Sequence, residues 1–376
     1  MSRAQETVAV GAERFSETSR PRSQGVSSSR HYETLDALRG VAALAVMLLH
    51  GRYYFWDSLG ASAYLAVDFF FMLSGFVVAY AYENKLRAGM SRREFLLLRV
   101  VRLYPLYLAG LLFALFCKTV ATYAGDDRLS FSDIELSFVI ELFFLPSPFN
   151  GSFDRLFPLN SPAWSLFFEV VINIVYGLLH RWLSTSILIA VVVVAALGLG
   201  AQALSTGTTD TGHHWANIAG GPARVFFAFP LGVLLFRARD SFPAILGRLS
   251  PWPLLILLFA LLMLPVEKPW RALYDLEFLF LVAPLLVVGG TQAVASASQR
   301  RFFLLLGLLS FPLYALHFPV IDPTVTASKR LGVPLPLTGV AYIVGAVTLA
   351  WAAARADVVV RRRLLARLAP RRSGTR

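Results

Sequence analysis

This sequence predicts an all-α polytopic membrane protein with about ten transmembrane helices, and three observations carry that prediction. Of its 376 residues 56% are hydrophobic and 15% charged, with a mean hydropathy of +0.61. A soluble domain of this size cannot hide so much apolar surface. The apolar residues also fall into runs near the roughly 20 residues a helix needs to cross a bilayer. Finally, the 35 Lys and Arg outnumber the 23 Asp and Glu, for a net charge of +12, and they cluster between those runs and after the last one. Basic residues in that pattern set membrane topology, so the charge is no argument for a nucleic-acid partner.

The candidate spans are residues 36–55, 62–82, 99–123, 162–180, 186–204, 218–236, 252–266, 273–291, 302–321 and 337–360. The stretch 136–146 is too short to cross and carries Glu141, so it is expected to be interfacial or re-entrant. Lys85, Arg87, Arg92 and Arg93 follow the second span, Arg237, Arg239 and Arg248 the sixth, and Arg361 to Arg363 the tenth. That distribution places these segments and both termini on the cytoplasmic side. The loop 205–217 has no Lys or Arg and the segment 126–154 is richer in acids than bases, which suits the opposite side. Two basic pairs, Lys268 with Arg271 and Lys329 with Arg330, run against this orientation. Residues 1–34, rich in Ser, Arg and Glu, read as a disordered cytoplasmic tail, and 361–376 as a basic cytoplasmic tail. No inverted repeat of the transporter kind is visible. Cys117, the single cysteine, lies in an apolar run and reads as a buried inert thiol, and no metal site is expected.

Polar side chains inside the runs need a reason, because an ionisable group in a span costs at least about 2.5 kcal/mol on insertion scales. Arg39 and His50 are eleven residues apart in the first span, so they share one helix face about 16 Å apart along its axis. Arg99 and Arg102, three apart, form a basic face at the cytoplasmic entry to the third span, suited to phosphate groups. Arg92 and Arg93 read as topology signals with snorkelling side chains. The fourth span opens with Ser161, Pro162, Trp164 and Ser165, Ser161 being placed to cap the helix, and Glu169 follows two turns in. A carboxylate at that depth needs a cation or a histidine; His50 is the attractive partner and a structural tie to an arginine is the alternative. Tyr314 and His317 share a face near the far surface, as functional groups or as membrane-belt residues. Asp68 opens the second span, where a helix dipole would favour it, and Ser74-Gly75 is a small pair where two helices can approach closely. His31, His180, His213 and His214 read as solvated.

Five stretches, taken together and in order, resemble the integral-membrane acyltransferase-3 family. They are Leu35-Asp36-Ala-Leu-Arg39-Gly through His50, Val67-Asp68-Phe-Phe-Phe-Met-Leu-Ser74-Gly75-Phe76, Arg99-Val-Val-Arg102-Leu-Tyr-Pro105, Trp164-Ser165-Leu-Phe-Phe-Glu169, and Ser310 through His317. The resemblance implies a membrane acyltransferase domain over 35–360. Such an enzyme takes an acyl group, most often acetyl, from cytoplasmic acyl-coenzyme A as co-substrate, with no permanently bound cofactor. The group goes to a hydroxyl at the outer face, mostly on sugars of lipopolysaccharide, exopolysaccharide or other surface glycans, free or lipid-linked. The resemblance also implies that His50 is essential, that Arg39, Arg99 and Arg102 serve the acyl donor, and that the setting is a bacterial inner membrane. It leaves Asp36, Asp68, Trp164, Ser165, Tyr314 and His317 as substrate-binding or supporting residues.

The chemistry of the residues agrees. A hydroxyl is a poor nucleophile at neutral pH, and an imidazole with an ordinary pKa of about 6.5 can take its proton as it attacks a thioester. Glu169 is then expected to orient that imidazole. The rival reading is a transporter or flippase in which Arg39, His50 and Glu169 relay protons or substrate. The basic face of Arg99 and Arg102 argues against it, since a polyphosphate donor uses such a face and a proton path does not.

Overall fold

The computed structural model describes residues 31–125, 128–151, 153–242 and 250–368. Among them the secondary structure is helical, apart from an isolated bridge between Arg155 and His214. In chain order the helices are α1 Glu33–His50, α2 Ala66–Arg87, α3 Arg92–Tyr123, α4 Phe131–Glu141, α5 Ala163–Leu179 and α6 Thr185–Thr206. They continue as α7 Gly220–Ala238, α8 Pro251–Met263, α9 Arg271–Gln292, α10 Ala297–Leu316, α11 Ile321–Leu331 and α12 Leu335–Leu368. A helix covers each of the ten apolar runs, and α4 occupies the short stretch before the fourth. Six of the described helices (α2, α3, α6, α7, α9 and α12) are long and apolar enough to cross a membrane alone, or seven if α10 and its bent continuation count as one span. Helix α1 carries Glu33, Asp36 and Arg39, while α5 and α8 are short at 17 and 13 residues. These three owe their place to packing rather than to apolar length.

On α6, Ile187, Ile189, Val193, Val194, Leu197 and Leu204 are all exposed. A contiguous apolar face of that kind has no stable home in water, so the chain is an integral membrane protein. Helix α12 runs on to Leu368, so Arg361 is helical. Residues 1–30 and 369–376 of the two expected tails lie outside the described residues.

Local chemistry sets the helix ends. Ser91 caps α3 by accepting from Glu94 N at 3.1 Å, and Ser130 with Asp133 closes a capping box on α4. Glu33 and Asp36 suit the positive N-terminal end of α1. The expected cap at Ser161 does not form: α5 starts at Ala163 behind Pro162, with no side-chain cap. Helix α10 ends at Leu316 and the chain continues at 57° through Phe318–Leu331. Pro319, which lacks an N–H, stands just past the break.

Two helix pairs approach closely because glycine leaves room. Gly75 of α2 lies against Phe229 O of α7, and Gly232 of α7 against Met72 O of α2, so a Cβ at either position would collide with backbone. Gly40 of α1 and Leu306 of α10 meet the same way, beside Gly307 against Asp36.

The α2 and α7 pair is locked by a buried ion pair. Arg224 donates to both Asp68 oxygens at 2.9 and 2.6 Å, and both side chains are fully buried. It also donates to Thr211 O and Tyr64 O, each at 2.9 Å, and its guanidinium lies 5.2 Å over the Trp164 ring. Asp68 therefore answers a cation and not merely a helix dipole. Removing one partner strands a buried charge, so Asp68→Ala or Arg224→Ala is expected to cost about 3–5 kcal/mol. Thermal unfolding of the purified protein checks this, and the Asp68→Ala/Arg224→Ala double variant should be less damaged than the sum of the singles.

Candidate active site

The site has two parts joined by the last turn of α10. The first is a cavity of about 120 Å³ between α1, α2, α3, α5 and α10. Its polar lining comprises Arg39, Arg99, Arg102, Glu169 and the Ser165–Tyr314 pair, and Val67, Phe70 and Phe71 line its apolar wall. Four expected site residues thus meet from three helices, and Ser165 and Tyr314 make six from four helices.

Within this cavity the charges are largely but not wholly spent. Arg39 donates from Nε to Ser310 Oγ at 2.9 Å, and its second nitrogen pairs with Asp36 at 2.9 Å and reaches Gly307 O at 3.3 Å. Asp36 is in turn met by His31 at 3.2 Å, so His31 is not simply solvated. Arg99 pairs with Glu169 at 3.1 Å, and Ser74 Oγ donates to the same carboxylate oxygen at 2.9 Å. Arg99 Nε is buried without a partner. Arg102 lines the cavity and makes no hydrogen bond or ion pair with any described residue. An arginine in a polar pocket with its donors unspent is ready for an anionic ligand. Arg361 of α12, paired with Asp357, comes close enough to Arg102 and Arg39 for their charges to repel. Sequence reading assigned Arg361 to a tail; its i,i+4 spacing from Asp357 was the available sign of a helix.

The second part is a histidine pair. His317 is fully buried, and its Nδ1 faces Leu313 O at 2.9 Å and Tyr314 O at 3.0 Å, carbonyls of the last turn of α10. Carbonyls only accept, so Nδ1 carries the proton and Nε2 is left as an acceptor. His50 Nδ1 lies 3.1 Å from that Nε2 and 2.9 Å from Val46 O. Facing two acceptors, it must be the protonated nitrogen. The unshared pair of His50 is thereby placed on Nε2, which no described residue engages. This is the tautomer a general base requires.

The expected partnership of Glu169 with His50 is not formed. Glu169 is taken by Arg99 and Ser74, and the group behind His50 is His317. The reason is the packing: α3 brings a cation to the carboxylate, while α10 delivers an imidazole to the end of α1. Tyr314 links the two parts. Its hydroxyl meets Ser165 Oγ at 2.6 Å and donates to Pro162 O at 3.1 Å, while its carbonyl accepts from His317.

Besides His317 of the histidine pair, three expected supporting residues lie outside the cavity lining. Asp36 holds Arg39, Asp68 holds Arg224, and Trp164 lies under the Arg224 guanidinium with its ring 6.1 Å from that of His213. They shape the walls rather than touch the cavity. His213 is half-buried rather than solvated; burial, then repulsion by His214 and Arg224, lowers its imidazole to about 3, so it is neutral at physiological pH. Arg224 was the residue most thoroughly missed: it reads as part of an apolar run, and only its position six residues into the helical stretch after a polar loop hints at an inward-facing charge.

Comparison with known proteins identifies the family. An acyltransferase domain, that of the acyltransferase-3 family, matches residues 32–355. "Protein 2 in picA locus" of Rhizobium radiobacter is 42% identical over 165 residues, which is 42% of this chain and 84% of that protein. No solved structure matches. The match spans the cavity and the histidine pair together, and the chain therefore belongs to the acyltransferase-3 family and is a membrane acyltransferase.

Proposed function

We propose that this enzyme moves an acyl group, acetyl foremost, from cytoplasmic acyl-coenzyme A to a hydroxyl on a carbohydrate or lipid-linked glycan at the opposite face of a bacterial inner membrane. The observation that supports it best is that Tyr314 lines the arginine-rich cavity while its carbonyl accepts from His317, the partner of His50. Polyphosphate chemistry suits one end and proton transfer the other. A relative in Rhizobium radiobacter agrees with the bacterial setting.

In the proposed reaction Arg102, with Arg39 and Arg99 beside it, holds phosphate oxygens of the donor, and the thioester extends toward His50. His50 Nε2 removes the acceptor hydroxyl proton as the oxygen attacks the thioester carbonyl. The tetrahedral adduct collapses with cleavage of the carbon–sulfur bond, and the imidazolium returns the proton to the leaving thiolate. His317 acts through His50: its Nε2 accepts from His50 Nδ1 before and after proton transfer, and that bond strengthens once His50 is charged. A neutral imidazole here occupies the position a carboxylate holds in a hydrolase triad.

His50→Ala is expected to abolish transfer of labelled acetyl in membranes, a loss of about 10²- to 10⁴-fold, with normal insertion. Retained transfer removes His50 as the base. His317→Ala removes a hydrogen bond to a group that becomes charged, a loss of roughly 1.5–3 kcal/mol, and so lowers kcat about 10- to 100-fold. The KM for acetyl-coenzyme A should stay unchanged, and His317→Gln, whose amide oxygen can accept from His50, should recover part of the rate. Arg102→Gln strands no protein partner and is expected to raise the KM for acetyl-coenzyme A about tenfold more than that for acceptor. An unchanged donor dependence overturns the phosphate role. Cys117 is buried and unpaired; Cys117→Ser should leave transfer nearly intact, whereas a dead variant would point to an acyl-cysteine intermediate.

A further inference from the structure

Against His50, and 6.5 Å from the ring of its partner His317, lies Phe318, whose ring meets the His50 imidazole edge-on at 5.3 Å. Over that same ring, at 5.5 Å, sits the guanidinium of Arg155, which is also 4.8 Å from the centre of the Phe153 ring. The arginine is thus within cation–π distance of two aromatic rings, one of which packs against the proposed base. Two further cations converge on Phe153, Lys118 and Arg128, each at 5.5 Å. Arg52, two residues after His50, is exposed on the same face of the protein.

The acids in this region are already engaged. Asp322 pairs with Lys118 at 2.6 Å through one oxygen and faces Arg128 at 3.5 Å through the other. Asp154, next to Arg155 in the chain, accepts from Ala216 N at 3.3 Å. The guanidinium of Arg155 makes no hydrogen bond or ion pair with any described residue, and the residue is half-buried. Rings hold its position without consuming its five donors. Partial burial also weakens its hydration, and an ionic partner would restore what is lost. A planar fork of unspent donors matches a carboxylate or phosphate in two-point fashion.

Resting on the proposed transfer reaction, we infer that the acceptor carries an oxyanion, a carboxylate or a phosphate, close to the hydroxyl that is acylated, and that Arg155 binds it while His50 takes the hydroxyl proton. Arg52, exposed nearby, adds positive charge at the approach to this pocket and favours an anionic acceptor over a neutral one. Arg155 is on this account a specificity-determining residue: it selects the acceptor and leaves the proton transfer to His50.

The test uses the full-length chain in phosphatidylcholine nanodiscs, where both faces are open and no anionic lipid competes. Labelled acetyl-coenzyme A is supplied with three acceptors of one scaffold: 4-nitrophenyl β-D-glucoside, its 6-phosphate, and 4-nitrophenyl β-D-glucuronide. The native enzyme is expected to use one or both anionic acceptors with a kcat/KM at least about tenfold above the neutral one. The phosphate and uronide arms tell the two oxyanions apart. Arg155→Gln should erase that preference through the KM of the anionic acceptor, and Arg155→Lys should keep part of it. Equal use of all three acceptors by the native enzyme overturns the inference, as does a preference that survives in a folded Arg155→Gln variant. A common fall in kcat for all three in that variant also overturns it, and makes Arg155 a stabiliser of the tetrahedral oxyanion. If His50-dependent release of coenzyme A occurs without acylation of any acceptor, inhibition of that release by the uronide or the 6-phosphate, lost in Arg155→Gln, supports the inference, and its absence overturns it. Absence of His50-dependent coenzyme A release under every condition is a different failure, that of the transfer reaction itself.

Discussion

The site depends on the packing of α1 against α10. Gly40 lies against Leu306, with Gly307 against Asp36, and with no Cβ between them the two backbones approach closely. That contact sets the register. Ten residues on from Gly40 is His50, and ten on from Leu306 is the end of α10, so two parallel helices carried at the same rise deliver His50 to His317. At the other end the same contact brings Arg39 onto Ser310 and Gly307. Both halves of the site are therefore held by one helix pair.

The histidine arrangement follows from a helix terminus. Where α10 stops and turns by 57°, the His317 side chain folds back onto two carbonyls of its own last turn, Tyr314 O and Leu313 O, the second of which also takes the His317 backbone N–H. That bond orders the protons on both rings. With His317 committed to its backbone, its other nitrogen accepts from His50, and the free electron pair of His50 points away from the protein's own donors. A bend that ends a helix thus selects a tautomer.

The ion pairs divide by depth and by purpose. Asp68 with Arg224 is fully buried and every nitrogen of the arginine makes a hydrogen bond, which suits a strut between α2 and α7. Around the cavity the accounting is deliberately incomplete: Glu169 answers Arg99, Asp36 answers Arg39, and Arg102 is left over. Arg155 is left over in the same way beyond His50, clamped by rings instead of acids. Cations that a protein desolvates without pairing raise its energy, and their placement at the two ends of the proposed reaction path is the common theme of this molecule.

The sequence by itself determined the fold class, because 20-residue apolar runs have few stable structures other than helices in a bilayer, and it marked most polar groups of the cavity, because charges inside such runs stand out against their cost. It also carried the family pattern across α1, α2, α3, α5 and α10. What periodicity along one helix cannot express is which faces of different helices meet. Glu169 was legible as a buried acid, yet whether Arg99 or His50 answered it rested on the relative placement of α1, α3 and α5, and packing gave it to Arg99. His317 was legible as one face with Tyr314, but its bond to His50 depends on the α1 and α10 register, and the positions of Arg224, Arg361 and Arg155 depend on contacts between segments far apart in the chain. Only the tertiary structure decided those, since ion pairs and proton order are properties of short distances in space, whereas sequence records distance along the chain.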